Sequence, residues 1–146
     1  MQNTTPEITQ ASTAQKSVKN LAQDITKDSI MRLMDIFYAK VRADKGQLGE
    51  IFRTKIGEDN ESWEQHKRKI GSFWGGIFLG EQEYRGAPLR AHLDLPPFPR
   101  ELFATWLNLF AESCQQVFAP APAQQILGRA NDIAKRFQYV LYEMPH

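Results

Sequence analysis

Two histidines, His66 and His92, are the side chains whose placement in this sequence favours chemistry. His66 lies three residues after Trp63 and four before Ile70, so it points to the apolar side of a predicted helix. His92 lies among leucines in the stretch PLRAHLDLPPFP and is followed by three prolines within four positions. Because proline cannot continue a helix, His92 is expected to end a short one. The remaining histidine, His146, is expected to be solvated.

A neutral imidazole is the commonest metal ligand, so two imidazoles that face one gap suggest a metal site. The turn between their segments contains Gly80 and Gly86, which favours helices that pack against each other. The sequence has no HExxH motif and no Cys/His pair at the separations of zinc sites. Two histidines without further protein ligands suit haem, whose porphyrin supplies four nitrogens. The residues alone leave a second interpretation open, in which both histidines are hydrogen-bonded core residues.

Composition narrows the classes of function. The chain has 146 residues, enough for one domain with a single core, and its net charge is only +1, from 18 basic and 17 acidic residues. Such a balance argues against binding to nucleic acid, which needs a basic face. No apolar run approaches the roughly 20 residues of a membrane span, so no membrane association is expected.

The single cysteine, Cys114, restricts the cofactor chemistry. It cannot form an internal disulfide or a cysteine-cluster metal site. It also excludes a c-type haem attachment, which needs two cysteines before a histidine. A single cysteine is consistent with a reducing compartment, and a cytoplasmic location is therefore expected.

Helical periodicity continues almost throughout the chain after residue 25. It predicts four substantial helices, and residues 46–57 are predicted to form only one or two short turns interrupted by glycines. No segment alternates with a period of two, so the predicted fold class is all-α. Residues 1–25 are predicted to be a flexible N-terminal extension, and residues 26–146 the folded domain.

The segment that carries His92 predicts at most a short, weak helix. Glycine and proline bound it on both sides, and it has little apolar surface of its own. Such a helix needs something to pack against. A flat apolar cofactor is one candidate, and the protein's own core is the other.

Four ordered motifs resemble the truncated haemoglobins, specifically their group III. They are FYAKV (37–41), WxxHKxKIGxFW (63–74), HLDLPPF (92–98) and FxxWL (103–107). The resemblance covers about residues 28–143. It implies a shortened globin with a two-over-two helical sandwich and a vestigial proximal helix, which agrees with the predicted helices.

The resemblance implies roles for four residues around an iron atom. His92 matches the proximal iron ligand, and Tyr38 matches the distal tyrosine. His66 matches the histidine at the distal gate, and Trp106 matches a tryptophan that lines the distal pocket. His92 is therefore the expected metal ligand, in a site for non-covalent haem b.

The resemblance also implies contacts with the haem itself. Ile70 matches a residue above the iron, and Phe98 is expected to return over the ring edge after the prolines. Phe37, beside the distal tyrosine, is a further expected contact. Lys69 and Arg90 are basic residues at positions where they could contact a haem propionate.

These residues imply a haem protein that binds diatomic gases, namely oxygen, nitric oxide and carbon monoxide. Tyr38 and Trp106 each offer a hydrogen-bond donor, and two donors in a dry pocket would hold oxygen tightly. Tight retention suits chemistry with oxygen, nitric oxide or peroxide rather than transport. Turnover would require an electron-donating reductase, and whether the chain is an enzyme stays open at this point.

Two alternatives remain open from the sequence. In one, His66 and His92 both bind the iron and the chain is a bis-histidine electron-transfer protein. In the other, the chain is a helical interaction module with no cofactor and both histidines belong to the core.

Overall fold

The computed structural model of the chain describes residues 20–82, 84 and 86–144. Helices in this part are α1 (Lys27–Ala43), α2 (Gln47–Ile56), α3 (Asn60–Leu79), α4 (Pro88–Leu93), α5 (Leu102–Val117) and α6 (Pro120–Gln138), followed by a π-helical turn (Tyr139–Glu143). These described residues contain no β-strand, which agrees with the predicted all-α class. None of the helices just given is both long and apolar enough to cross a bilayer.

Helix α1 begins at a complete capping box. Ser29 N donates to Thr26 Oγ1 at 3.1 Å, and Thr26 N donates to Ser29 Oγ at 2.7 Å. Two of the helix's free N–H groups are thereby satisfied. Thr26 is thus the N-cap of α1. The apolar face of α1 is buried and consists of Ile30, Leu33, Met34, Phe37, Tyr38 and Val41.

The helices form two packed pairs, α1 with α3 and α5 with α6, and α1 also packs on α5. Phe37 lies where the pairs meet. Its ring is edge-on to Phe110, with centroids 5.1 Å apart, and to Trp106, with centroids 5.3 Å apart. Edge-to-face contacts of this kind fix the relative position of the helices. The arrangement agrees with the predicted two-over-two sandwich.

The prediction of short turns for residues 46–57 is wrong, because α2 is one ten-residue helix. Two of its glycines delimit the helix rather than interrupt it. Gly46 is the N-cap, and Gly57 is the C-cap with φ 119°, a conformation that favours glycine. Gly49 lies at the first turn, where its N donates to Asp44 Oδ2 at 2.8 Å.

Replacing Gly49 with alanine is expected to destabilise the protein. A Cβ there would collide with the backbone oxygen of Asp44, to which Arg53 Nη1 donates at 2.6 Å. The expected loss in the free energy of unfolding is about 1–3 kcal/mol. Thermal denaturation tests this, with Gly128→Ala as control, because Gly128 lies in α6 with open space around it. The control should gain up to about 1 kcal/mol, and equal effects of both variants would contradict the prediction.

Gly75 and Gly76 lie inside α3, and the structure supplies a reason for Gly75. The chain reverses after Leu79, and Glu81 N donates back to Gly75 O at 3.2 Å. The carboxylate of Glu81 lies directly over Gly75, in the space that a Cβ would take. The glycine thus allows the segment after α3 to fold back onto the helix.

The segment before α1 is hydrogen-bonded to the junction between α5 and α6. Ala22 N donates to Val117 O at 2.7 Å, and Ala119 N donates to Ala22 O at 2.9 Å. Ile25 packs against the core. The described residues 20–25 are therefore packed on the domain, whereas the rest of the predicted N-terminal extension, residues 1–19, lies outside the described residues.

Candidate functional site

A cavity of about 220 Å³ lies among helices α2 to α6, with Tyr38 of α1 also on its wall. One water needs only about 10–15 Å³ measured in the same way, and well-packed cores have few voids larger than a water molecule. The lining is mostly aliphatic and aromatic. A cavity of this size and character is a site for an apolar ligand rather than a packing defect.

His92, in the last turn of α4, lies on the cavity wall with its ring fixed. Its Nδ1 is 2.7 Å from Pro88 O, a carbonyl that can only accept, so Nδ1 carries the proton. The lone pair therefore lies on Nε2, which has no hydrogen-bond partner among the described residues. The rings of Phe137 and Phe103 flank the imidazole, with centroids at 4.8 and 6.2 Å. Burial lowers the pKa of His92, which favours the neutral, ligating form.

Tyr38 and His66 form a hydrogen-bonded pair on the same cavity wall. Tyr38 Oη is 3.2 Å from His66 Nε2, and the rings are perpendicular with centroids 4.9 Å apart. Burial raises the pKa of the Tyr38 phenol and lowers the pKa of His66 to about 4. The charge of Lys69 contributes to the shift of His66. Both side chains are therefore neutral near pH 7, and the phenol has one proton to donate.

Trp106 provides another donor in the cavity lining. Its ring stacks on Phe110, with centroids 4.9 Å apart and planes at 13°. Its indole N–H has no hydrogen-bond partner among the described residues, whereas that of Trp63 donates to Gly57 O at 2.8 Å. Trp106 is half-buried on the cavity wall, so its free N–H is available to a ligand there.

The other predicted contact residues divide into two groups. Ile70, Lys69 and Phe98 line the cavity. Phe37 is 1% exposed and lies behind the cavity wall, where its ring contacts Tyr38 with centroids 4.9 Å apart. Its position supports the distal residues from the core.

Arg90 lies outside this cavity. It lines a neighbouring cleft, and its side chain is 76% exposed. Its Nε is 3.5 Å from Asp94 Oδ1, one helical turn away. The guanidinium of Arg90 therefore has a carboxylate partner already and faces solvent.

The segment after His92 is held by a hydrogen bond and an ion pair to the π-helical turn. Tyr142 Oη donates to Phe98 O at 3.0 Å, and Arg100 Nη2 pairs with Glu143 Oε2 at 2.9 Å. Tyr142 and Glu143 both belong to this turn. These contacts keep Phe98 on the cavity wall.

Several cavity residues were not predicted from the sequence as site residues. Leu48, Ile51 and Phe52 belong to α2, whose helical character was missed. Ile51 and Phe52 lie three and four residues after Leu48, which is the spacing of one helix face. This pattern is the signal in the sequence that indicates a helix here. Lys55 follows on the same face. Phe137 belongs to α6, and its helical spacing from other apolar residues does not distinguish a cavity wall from a core.

His66 is expected to make the apoprotein less stable in acid. Its pKa is about 4 in the folded chain against an ordinary value of 6.5, so the unfolded chain binds a proton first as the pH falls. Stability is therefore unaffected above pH 6.5 and decreases between about pH 6.5 and 4, by on the order of 2 kcal/mol. Urea unfolding of His66→Leu should show a smaller acid loss than the wild type. Parallel pH profiles of the two proteins would contradict this.

Comparison with solved structures defines the class of the fold. The chain superposes on a crystal structure of a group III truncated haemoglobin from Campylobacter jejuni with a TM-score of 0.82 and 50% sequence identity. The match covers 86% of this chain and 99% of the other. The predicted truncated globin fold is thereby confirmed.

Sequence comparison then gives the family. No protein-family model matches the chain. A curated protein of Campylobacter jejuni, described as a group 3 truncated haemoglobin, is 52% identical over 121 residues, which are 83% of this chain and 94% of the relative. The chain belongs to the group III truncated haemoglobins.

Proposed function

We propose that this chain holds non-covalent haem b through His92 and binds diatomic gases beside Tyr38, His66 and Trp106. The observation that carries the proposal is the state of His92. Its Nδ1 is held by Pro88 O at 2.7 Å, and its Nε2 is left free in a large aromatic cavity. This tautomer and this fixed ring are what an iron ligand requires.

The residues present fit a haem better than a bare metal ion. Within residues 20–82, 84 and 86–144, no three His, Cys, Asp or Glu side chains converge on one point. A bare ion would therefore lack a set of three ligands from this part of the chain, whereas a porphyrin brings four nitrogens of its own. The apolar lining suits the faces of the ring, and Lys69 at the rim suits a propionate.

The cysteine content supports a non-covalent cofactor. Cys114 is the only cysteine of the sequence, and it is fully buried in the core, away from the cavity lining. A thioether link to the cavity therefore has no donor. The single cysteine also supports a reducing, cytoplasmic environment.

The polar side chains of the cavity would hold the gas. When bound, ferrous haem supplies an open coordination position and donates electron density to the gas that takes it. With its proton on Nε2, His66 would donate to Tyr38 Oη, 3.2 Å away, which orients the phenol and leaves the phenol's own proton for the gas. The indole N–H of Trp106 is a second donor. A hydrogen bond to a negatively charged acceptor contributes about 1.5–3 kcal/mol, so two donors favour retention and chemistry with oxygen, nitric oxide or peroxide over transport.

One observation favours gas binding over the bis-histidine alternative. Nε2 of His66 is already engaged with Tyr38 Oη. Ligation through this nitrogen would break that contact and leave the buried phenol without its partner. Gas binding leaves the pair in place.

The visible spectrum of the reduced holoprotein separates the two functions. A five-coordinate ferrous form that takes up carbon monoxide is the expected result. A six-coordinate low-spin ferrous form that becomes five-coordinate in His66→Leu would instead support the bis-histidine protein. The variant is the matched control, because it removes the nitrogen and keeps an apolar side chain of similar size.

A further inference from the structure

We propose that Lys55 is an anchor for a carboxylate of the bound cofactor and acts together with Lys69. The two lysines, here called the cationic rim, lie on neighbouring helices, Lys55 on α2 and Lys69 on α3. The proposal rests on the proposed function, because it assumes that the ligand is a haem with two propionate groups. It adds a binding residue that the sequence motifs do not contain.

The charges on the cavity wall are the first observation. Among the described residues that line the cavity, Lys55 and Lys69 are the only ones with a permanent charge, and no aspartate or glutamate lines it. Both lysines are also exposed. A cavity wall with an apolar interior and cations only at an exposed edge is complementary to a flat apolar ligand with an anionic edge.

The absence of partners is the second observation. Neither Lys55 nor Lys69 has a hydrogen bond or ion pair with any described residue. By contrast, Lys40 pairs with Glu112 at 3.4 Å and Lys67 pairs with Asp35 at 3.0 Å. Within residues 20–82, 84 and 86–144, the cationic rim therefore has no carboxylate to displace before it binds a ligand.

The position of Lys55 on its helix is the third observation. It lies four residues after Ile51 and three after Phe52, and both of these line the cavity. This spacing places Lys55 on the same face of α2, one turn further along. The aliphatic stem can then follow the cavity wall while the ammonium group reaches the rim.

The cationic rim also orients the ligand. Arg90 lies outside the cavity and is paired with Asp94, so it does not compete for a carboxylate there. The edge of the haem that bears the two propionate groups is therefore expected beside α2 and α3. The other edges of the haem are expected to lie against apolar side chains. Lys55 is a binding residue in this arrangement, with no part in the gas chemistry.

The test is the rate at which ferric holoprotein loses its haem to an excess of apomyoglobin, followed in the Soret band. Lys55→Met keeps the aliphatic stem and removes the charge. At low salt we expect haem loss about two- to fivefold faster, because an exposed ion pair is weak. The difference should shrink as the ionic strength rises. With haem dimethyl ester, which has no carboxylates, the variant and the wild type should lose the ligand at equal rates.

Lys27→Met is the matched control. Lys27 is exposed, does not line the cavity and lies eleven residues before Tyr38 on α1, about 16 Å along the helix. Equal rates for Lys55→Met and Lys27→Met, or an equal effect of Lys55→Met on haem and on its dimethyl ester, would overturn the proposal for Lys55 alone. Failure of the wild type to take up haem would overturn the proposed function as well.

Discussion

Replacing His92 with glycine is expected to abolish stable haem binding. Its Nε2 has no hydrogen-bond partner among the described residues, and the ring is fixed by the 2.7 Å contact between Nδ1 and Pro88 O. Loss of an outer-shell partner costs about 10–100-fold in metal affinity, and loss of the ligand itself should exceed this. Haem transfer to apomyoglobin measures the effect, and we expect loss at least about 100-fold faster than from the wild type.

Added imidazole separates ligation from folding in this variant. The space left by the side chain should admit free imidazole, which restores the axial nitrogen and slows haem loss. His66→Gly is the control, because it removes the other cavity imidazole and should retain haem. A His92→Gly protein that keeps stoichiometric haem with an unchanged iron spectrum, or a His66→Gly protein that loses it instead, would refute the assignment of His92.

Replacing Tyr38 with phenylalanine is expected to speed the release of oxygen. The phenol is 4% exposed and neutral, and its only hydrogen-bond partner among the described residues is His66. Removing a donor to an acceptor that has gained negative charge costs about 1.5–3 kcal/mol, which is about tenfold to a hundredfold in rate. Stopped-flow displacement of oxygen by carbon monoxide gives the dissociation rate constant.

Tyr142→Phe is the control for that experiment. It also removes one phenol, but that hydroxyl donates to Phe98 O at 3.0 Å and does not line the main cavity. Its oxygen dissociation rate should stay within about twofold of the wild type, since a neutral hydrogen bond contributes only about 0.5–1.5 kcal/mol and acts here at a distance. An unchanged rate in Tyr38→Phe would remove Tyr38 from the ligand network.

The long helices were predictable from the sequence because their apolar residues repeat every three or four positions. The buried face of α1, with Phe37 and Tyr38, is the clearest case. The sequence does not predict helix α2, because three glycines lie within and beside its apolar pattern. Two of them form its ends, and Gly49 is required by the approach of Asp44, a tertiary contact that no local pattern contains.

The site was predictable only where a motif marks it. His92, Tyr38, His66 and Trp106 are residues of the resemblance, and the structure brings all four to one cavity. Lys55 was not predictable, because its place on the rim depends on how α2 packs against α3. The exposed, paired state of Arg90 likewise depends on the exit of the chain from α4.

Titration of the purified apoprotein with haemin, followed by reduction, tests the central claim most directly. The claim predicts saturation at one haem per chain. It also predicts a five-coordinate ferrous form that takes up oxygen or carbon monoxide, because His92 offers one axial nitrogen while His66 stays paired with Tyr38. The absence of saturable uptake would contradict it and would make both histidines structural residues of the cavity wall.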